Sequence, residues 1–114
     1  MADNKKHVAI ITDSKGNIIT FGHNFYTDYG TIHAEDAAIK RLKNMISRGK
    51  YKERRCRRLN MYIFRIGTDL MMSKPCSSCQ ELLTDYWSWF GHVYYSTGDE
   101  DNIMEEYKPT MDYN

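Results

Sequence analysis

With 114 residues and 13.5 kDa, the chain holds one domain, since a second would lack a core of its own. A composition of 41% hydrophobic and 27% charged residues excludes a disordered chain, and no apolar run reaches the ~20 residues a membrane helix needs. The start, Met1 to Lys6, is polar and offers no signal sequence, so a soluble, cytoplasmic protein with no membrane partner is expected. The net charge of +1 conceals two opposed clusters: seven Lys and Arg against Glu53 alone from Arg48 to Arg58, and six acids against Lys108 alone from Asp99 to Asn114. Such a dipole fits an anionic ligand at one end, a partner chain bound head to tail, or two solvated surfaces.

His7 to Thr12 and Asn17 to Phe21 are short runs rich in β-branched residues on either side of Asp13-Ser14-Lys15-Gly16, which predicts a β-hairpin. Gly22 to Gly30 has no period and is expected to be a loop leading to a helix near Thr31, with Thr31 as its cap. In that helix Ala34, Ala38, Leu42 and Met45 recur at spacings of three and four and form the packing face, and Gly49 ends it. The basic segment follows as a loop. Leu59 to Ile66 reads as a mostly buried strand, and Gly67 to Ser73 leads to a second helix with Ser73 as cap and Pro75 in its first turn. Cys79, Leu82, Leu83, Tyr86 and Phe90 are the apolar stripe of that helix, which Gly91 ends. His92 to Thr97 is the last clear strand, Gly98 to Asn102 is a turn, and Ile103 to Lys108 fits a short strand or a helix equally well. The strand-helix-strand crossover from Leu59 to Thr97 implies two parallel strands, hence an α/β sandwich with a mixed sheet.

The two helices open with metal-ligand residue types, His33-Ala34-Glu35 in the first and Pro75-Cys76-Ser77-Ser78-Cys79 in the second. Three cysteines, an odd number in a chain with no export signal, argue against a disulfide framework and for metal or redox chemistry. Cys76 and Cys79 point the same way from a first helical turn, where the helix N-terminus favours the thiolate. Two thiolates and the His33 imidazole would hold one Zn2+ per chain and leave the fourth tetrahedral position to water, as a catalytic site does. Zinc brings the pKa of that water toward ~7, and Glu35 can take its proton and hand it to the substrate.

His-Ala-Glu followed by Pro-Cys-x-x-Cys resembles the zinc-dependent cytidine and deoxycytidylate deaminase superfamily, whose pattern is His or Cys, Ala, Glu, then Pro-Cys-x-x-Cys. The resemblance runs from the first hairpin to His92-Val93-Tyr94-Tyr95-Ser96 and includes Gly22-His23-Asn24, similar to the loop whose Asn binds substrate in that family. It implies a three-layer cytidine deaminase-like sandwich with β-β-α-β-α-β order and a short C-terminal element. It also implies a hydrolase that converts a cytosine-type nucleoside or nucleotide to its uracil form and releases ammonia. By the same resemblance His33, Cys76 and Cys79 bind zinc, Glu35 shuttles protons, Asn24 contacts the nucleoside, and the Ala34 backbone with the segment around Ser73 to Pro75 holds the base. His as first ligand is more similar to the deoxycytidylate, cytosine and tRNA-adenosine branches than to the free cytidine deaminases. Two features depart from the family: about six polar residues stand where a helix usually precedes the first strand, and the C-terminal region is short. A sheet face left bare in this way is expected to pair with further copies as a dimer or tetramer.

Plainer readings stand beside these. Pro-Cys-x-x-Cys alone also serves structural zinc sites and redox pairs, Asn24 can simply satisfy a turn, and Trp87, Trp89, Phe90, Tyr94 and Tyr95 fit core or subunit contacts better than a base-stacking platform. Cys56, between Arg55 and Arg57, should be more acidic than a free thiol, although an unpaired loop cysteine with no role fits its place better. The basic run begins at the far end of a helix ~25 Å long, too far from the zinc for one nucleotide to touch both. Arg48 to Arg58 therefore reach a neighbouring subunit's site, track a longer nucleic acid, or are solvated. The acidic tail starts beside the pocket and would repel a polyphosphate unless it folds away, which favours a small, weakly charged substrate. A nucleic-acid-acting deaminase or binding module, and a zinc-binding scaffold without catalysis, are the alternatives to the metabolic enzyme.

Overall fold

The computed structural model describes residues 6–66 and 70–109. β1 (Lys6–Thr12) and β2 (Ile18–His23) form the expected antiparallel hairpin, whose turn is fixed by the Asp13 carboxylate accepting from the amides of Lys15 and Asn17. The segment expected to be a loop instead makes a two-stranded sheet of its own, β3 (Phe25–Thr27) with β4 (Gly30–Ile32). Three-residue strands carry too few alternations to be read from sequence. Because Thr31 is spent in β4, it does not cap the first helix: α1 (Ala34–Ser47) starts behind His33 with no side-chain cap bond. Gly49, at φ +72°, closes it, and the amides of Gly49 and Lys50 donate to the carbonyls of Ile46 and Met45.

After a 3-10 turn at Glu53–Arg55 the chain runs into β5 (Leu59–Ile66), and β6 (Leu70–Met71) folds back along its end. The second helix, α2 (Ser77–Asp85), begins behind Cys76 rather than Ser73. Ser73 lies upstream, its amide donating to the Ser96 carbonyl, so its place is set by the sheet. The predicted helical stripe stops early too: Trp87–Trp89 is a 3-10 turn and Phe90 opens β7 (Phe90–Ser96) by pairing with Leu59, one residue ahead of Gly91. β8 (Met104–Tyr107) runs antiparallel to β7 and settles the C-terminal segment as a strand.

The sheet order is β2-β1-β5-β7-β8, mixed as expected, with β5 and β7 parallel. Alternate residues Ala9, Ile11, Leu59, Met61, Ile63 and Val93 are fully buried against Ala34, Ala38, Ile39 and Leu42 of α1 and Leu83 of α2. Each large aliphatic buried this way contributes ~1.5–3 kcal/mol, so the core lies on one face of the sheet, beneath both helices. α1 can come this close because residue 22 is glycine; a Cβ there would stand 2.4 Å from the Ala38 amide nitrogen. The other face carries Val8, Ile10, Phe64 and a Tyr62–Tyr94 stack with ring centroids 5.4 Å apart, and no helix covers it among the described residues. No described helix is long and apolar enough to cross a membrane.

Two registers decide where the chemistry sits. Val8 pairs with His23 and Lys6 with Ile66, so β2 and β5, on either side of β1, end at the same edge of the sheet, and both helices start from that edge.

Candidate metal centre

At that edge the ligand atoms of His33, Cys76 and Cys79 all lie within 4.8 Å of one another. The Nδ1 of His33 is 3.6 Å from the Sγ of Cys76. A tetrahedral zinc with Zn–S of about 2.3 Å and Zn–N of about 2.0 Å holds its sulfur and nitrogen about 3.5 Å apart, so the donors stand at ligand spacing. The local charge points the same way. Burial, together with the Glu35 and Cys76 charges, pushes the Cys79 thiol far above its ordinary range. At Cys76 burial opposes ionisation, but hydrogen bonds from the Ser78 hydroxyl and the Cys79 amide outweigh it and lower the thiol. Two sulfurs and a buried carboxyl packed together are what a divalent cation relieves, and one imidazole with two thiolates fits zinc with one position left for water.

Glu35 is 5% exposed, and burial raises its carboxyl pKa although the Cys79 thiol hydrogen-bonds to it. It stands beside the donor group without belonging to it. A cavity of about 300 Å3 opens over the centre, and its wall holds Asn24, Ala34 and Ser73 together with His33, Glu35 and Cys76. Pro75 does not line it; this residue is buried, and its carbonyl accepts from the Gln80 side chain at 2.9 Å.

The wall also contains Lys74, from the segment expected to hold the base, and two residues for which the sequence suggested no place at the cavity, His7 and Thr31. The amide of His7 donates to the Asn24 Oδ1 at 3.0 Å, which fixes the side-chain amide and leaves its NH2 free to donate into the cavity. The ring of His7 meets the Ser73 hydroxyl at 3.2 Å, and burial first, then the charges of Arg65 and His33, lower its pKa. The signal for His7 was parity, since it shares the face of Ala9 and Ile11, but only the register with β5 says that this strand end meets the helix starts.

Three other expectations meet the structure here. Cys56 is not acidified by Arg55 and Arg57. Both arginines are solvent-exposed while the thiol is buried, and burial with the Glu53 charge pushes it up to about 11. The acidic tail folds away from the cavity: Glu105 accepts from the Tyr95 hydroxyl at 2.6 Å and Glu106 meets His92 at 2.9 Å, both along β7. No tail acid among the described residues lines the cavity, and Asp112 lies outside them. The basic run sits at the far end of α1, as expected, and does not line this cavity.

The sequence matches no family model and no curated protein. Solved structures do match. The crystal structure of cytidine deaminase from Mycobacterium leprae superposes with a TM-score of 0.54 over 90% of this chain and 75% of that one, at 18% identity. The chain therefore has a cytidine deaminase-like α/β fold, and a His-Cys-Cys group able to hold a metal stands within it.

Proposed function

We propose that the chain is a zinc-dependent hydrolytic deaminase that converts a cytosine-type base, carried on a nucleoside or nucleotide, to its uracil form with release of ammonia. The observation that carries this reading is a three-donor group beside a buried carboxyl that is not a donor, with Glu35 and two of the donors, His33 and Cys76, in the wall of one cavity. A structural zinc site closes with a fourth protein ligand and has no use for Glu35. When bound, zinc supplies the Lewis acidity that makes a water nucleophilic near neutral pH. Glu35 takes one proton of that water and delivers it to the ring nitrogen, then takes the second from the hydroxyl added to the ring carbon and delivers it to the amine, which departs as ammonia as the C–N bond breaks. The Asn24 NH2 donates to a substrate oxygen, and the Ala34 backbone and the Ser73 hydroxyl hold the base. Cytosine rather than adenine follows the fold neighbour, which is a cytidine deaminase. Free thiols at the centre suit a reducing, cytoplasmic setting.

The deciding experiment measures ammonia release by the zinc-loaded protein from cytidine, deoxycytidine, their monophosphates, cytosine and adenosine. Turnover that vanishes in Glu35→Gln, with one zinc per chain retained, supports the reading. A zinc-loaded protein inert toward every cytosine compound, free or in an oligonucleotide, overturns it in favour of a scaffold.

Self-association through the open sheet face belongs to the same proposal, with a second copy as occupant. Val8, Ile10, Phe64 and the Tyr62–Tyr94 stack form an apolar middle, and the His92–Glu106 pair stands at one rim, the layout of an interface core with a polar edge. Light scattering that returns the mass of a single chain at high concentration would sink it.

A further inference from the structure

On the side of the β3–β4 hairpin away from the metal centre lies a second, open cavity of about 480 Å3, bounded by the hairpin, β2 and α1. The hairpin register sorts its side chains. Phe25 pairs with Ile32 and both line this second cavity, whereas Tyr26 pairs with Thr31, which lines the metal cavity. The hairpin is thus a thin wall with an aromatic group on each side. Tyr26 and Tyr29 are 83% and 101% exposed, so packing within this chain gives no reason for either ring.

The α1 side of the second cavity carries Lys40, Arg41 and Asn44. The Arg41 guanidinium lies 4.9 Å above the Phe21 ring and donates to the Phe21 carbonyl at 3.2 Å, which holds the cation in place at the cavity. Arg41 and Asn44 also line an adjoining hollow of about 300 Å3 shared with Arg48 and Lys50. Positions 37, 41, 44 and 48 follow the spacing of one helix face. α1 therefore bears a stripe from beside the metal cavity to the basic loop, and its 14 residues at ~1.5 Å each make that path ~21 Å long, more than one nucleotide occupies. The acids nearby are few: Asp36 pairs with Lys40 at 3.3 Å, Asp28 sits at the hairpin tip and Glu53 in the basic loop. The tail acids Glu105 and Glu106 are engaged on β7 and stand off the stripe.

We propose that this stripe and the aromatic hairpin form a track for single-stranded nucleic acid, with one unstacked base entering the metal cavity. The fate of that base rests on the deaminase reading; the binding of the strand does not. Lys40, Arg41, Arg48 and Lys50 meet phosphates, and Tyr26 and Tyr29 stack the flanking bases, the combination by which proteins follow a strand without reading its sequence.

The test is fluorescence anisotropy of labelled single-stranded DNA and RNA oligonucleotides, each with one cytosine, on the zinc-loaded full chain. Four phosphate contacts predict a roughly 50-fold loss of affinity between 50 and 200 mM salt, at a slope of about 0.7 per phosphate. Arg48→Glu with Lys50→Glu, both at exposed positions, should weaken binding at least tenfold and flatten that slope, with circular dichroism and zinc content unchanged. Salt-insensitive binding, or binding that the double variant leaves intact, overturns the track. Deamination of free cytidine with no strand bound overturns it while the enzyme reading stands. Steep salt-dependent binding with no deamination of any substrate upholds the track and fails the enzyme reading. The DNA and RNA arms show which sugar the track prefers.

Discussion

The Nδ1 of His33 and the Sγ of Cys76 stand 3.6 Å apart although 43 residues separate them in the chain. They meet because two strand ends, those of β2 and β5, release their helices at one sheet edge.

Metal removal should expose this pairing. In chelated protein a thiol reagent should modify Cys76 fast and Cys56 and Cys79 slowly, since Cys76 is exposed and the other two are buried. One equivalent of zinc should protect Cys76 and raise the thermal midpoint by several degrees, because binding to the native state alone adds to stability. Equal reaction of all three thiols with and without zinc would count against the centre.

The bridge from the His7 amide to Asn24 separates two roles of one side chain. Asn24→Ala leaves that amide unpaired and should cost ~1–3 kcal/mol of stability as well as raising KM. Asn24→Asp keeps an acceptor for His7 but loses the NH2 donor, so KM should rise with much less loss of stability. Urea unfolding beside steady-state kinetics reads both; identical behaviour of the two variants would show that Asn24 acts through the turn alone.

Gly22→Ala should damage the centre from a distance. The new methyl would stand 2.4 Å from the Ala38 amide and 2.8 Å from the Ala34 carbonyl, both backbone, so α1 must shift at its first turn. A loss of ~1–3 kcal/mol or more is expected, with weaker zinc binding because His33 and Glu35 ride on that turn. Unchanged zinc affinity in a folded variant would contradict the coupling.

Cys56 predicts a pH dependence. Its thiol is raised from 9.0 to about 11 in the fold, chiefly by burial. The folded state therefore favours the protonated thiol more than the unfolded chain does. The resulting stability is fully present below about pH 9 and is lost as the pH climbs toward about 11, by at most roughly 2–3 kcal/mol. Cys56→Ala should lose less than the native chain between pH 8 and about 10.5 in denaturant unfolding. Parallel losses in the two proteins would remove Cys56 as the cause.

Much of this was legible in the residues. β1, β5 and β7 showed as β-branched and apolar runs, and the parallel pairing of β5 and β7 followed from the helix between them. The helix caps were misplaced because Thr31 and Ser73 have capping side chains but are claimed by other partners, β4 for one and the Ser96 carbonyl for the other. The acidity expected of Cys56 was wrong because sequence neighbours reveal charge and not burial.

The sequence by itself determined the donor types, their place at helix starts and a carboxyl two residues from His33, since these depend on local spacing alone. Only the tertiary structure decided that His7 and Thr31 join the cavity, that the tail turns away along β7, and that Lys40, Arg41, Arg48 and Lys50 align beside an aromatic hairpin. Each of these depends on strand register and on which helix face packs, and those are set by burying one common core rather than by any residue's neighbours in the chain.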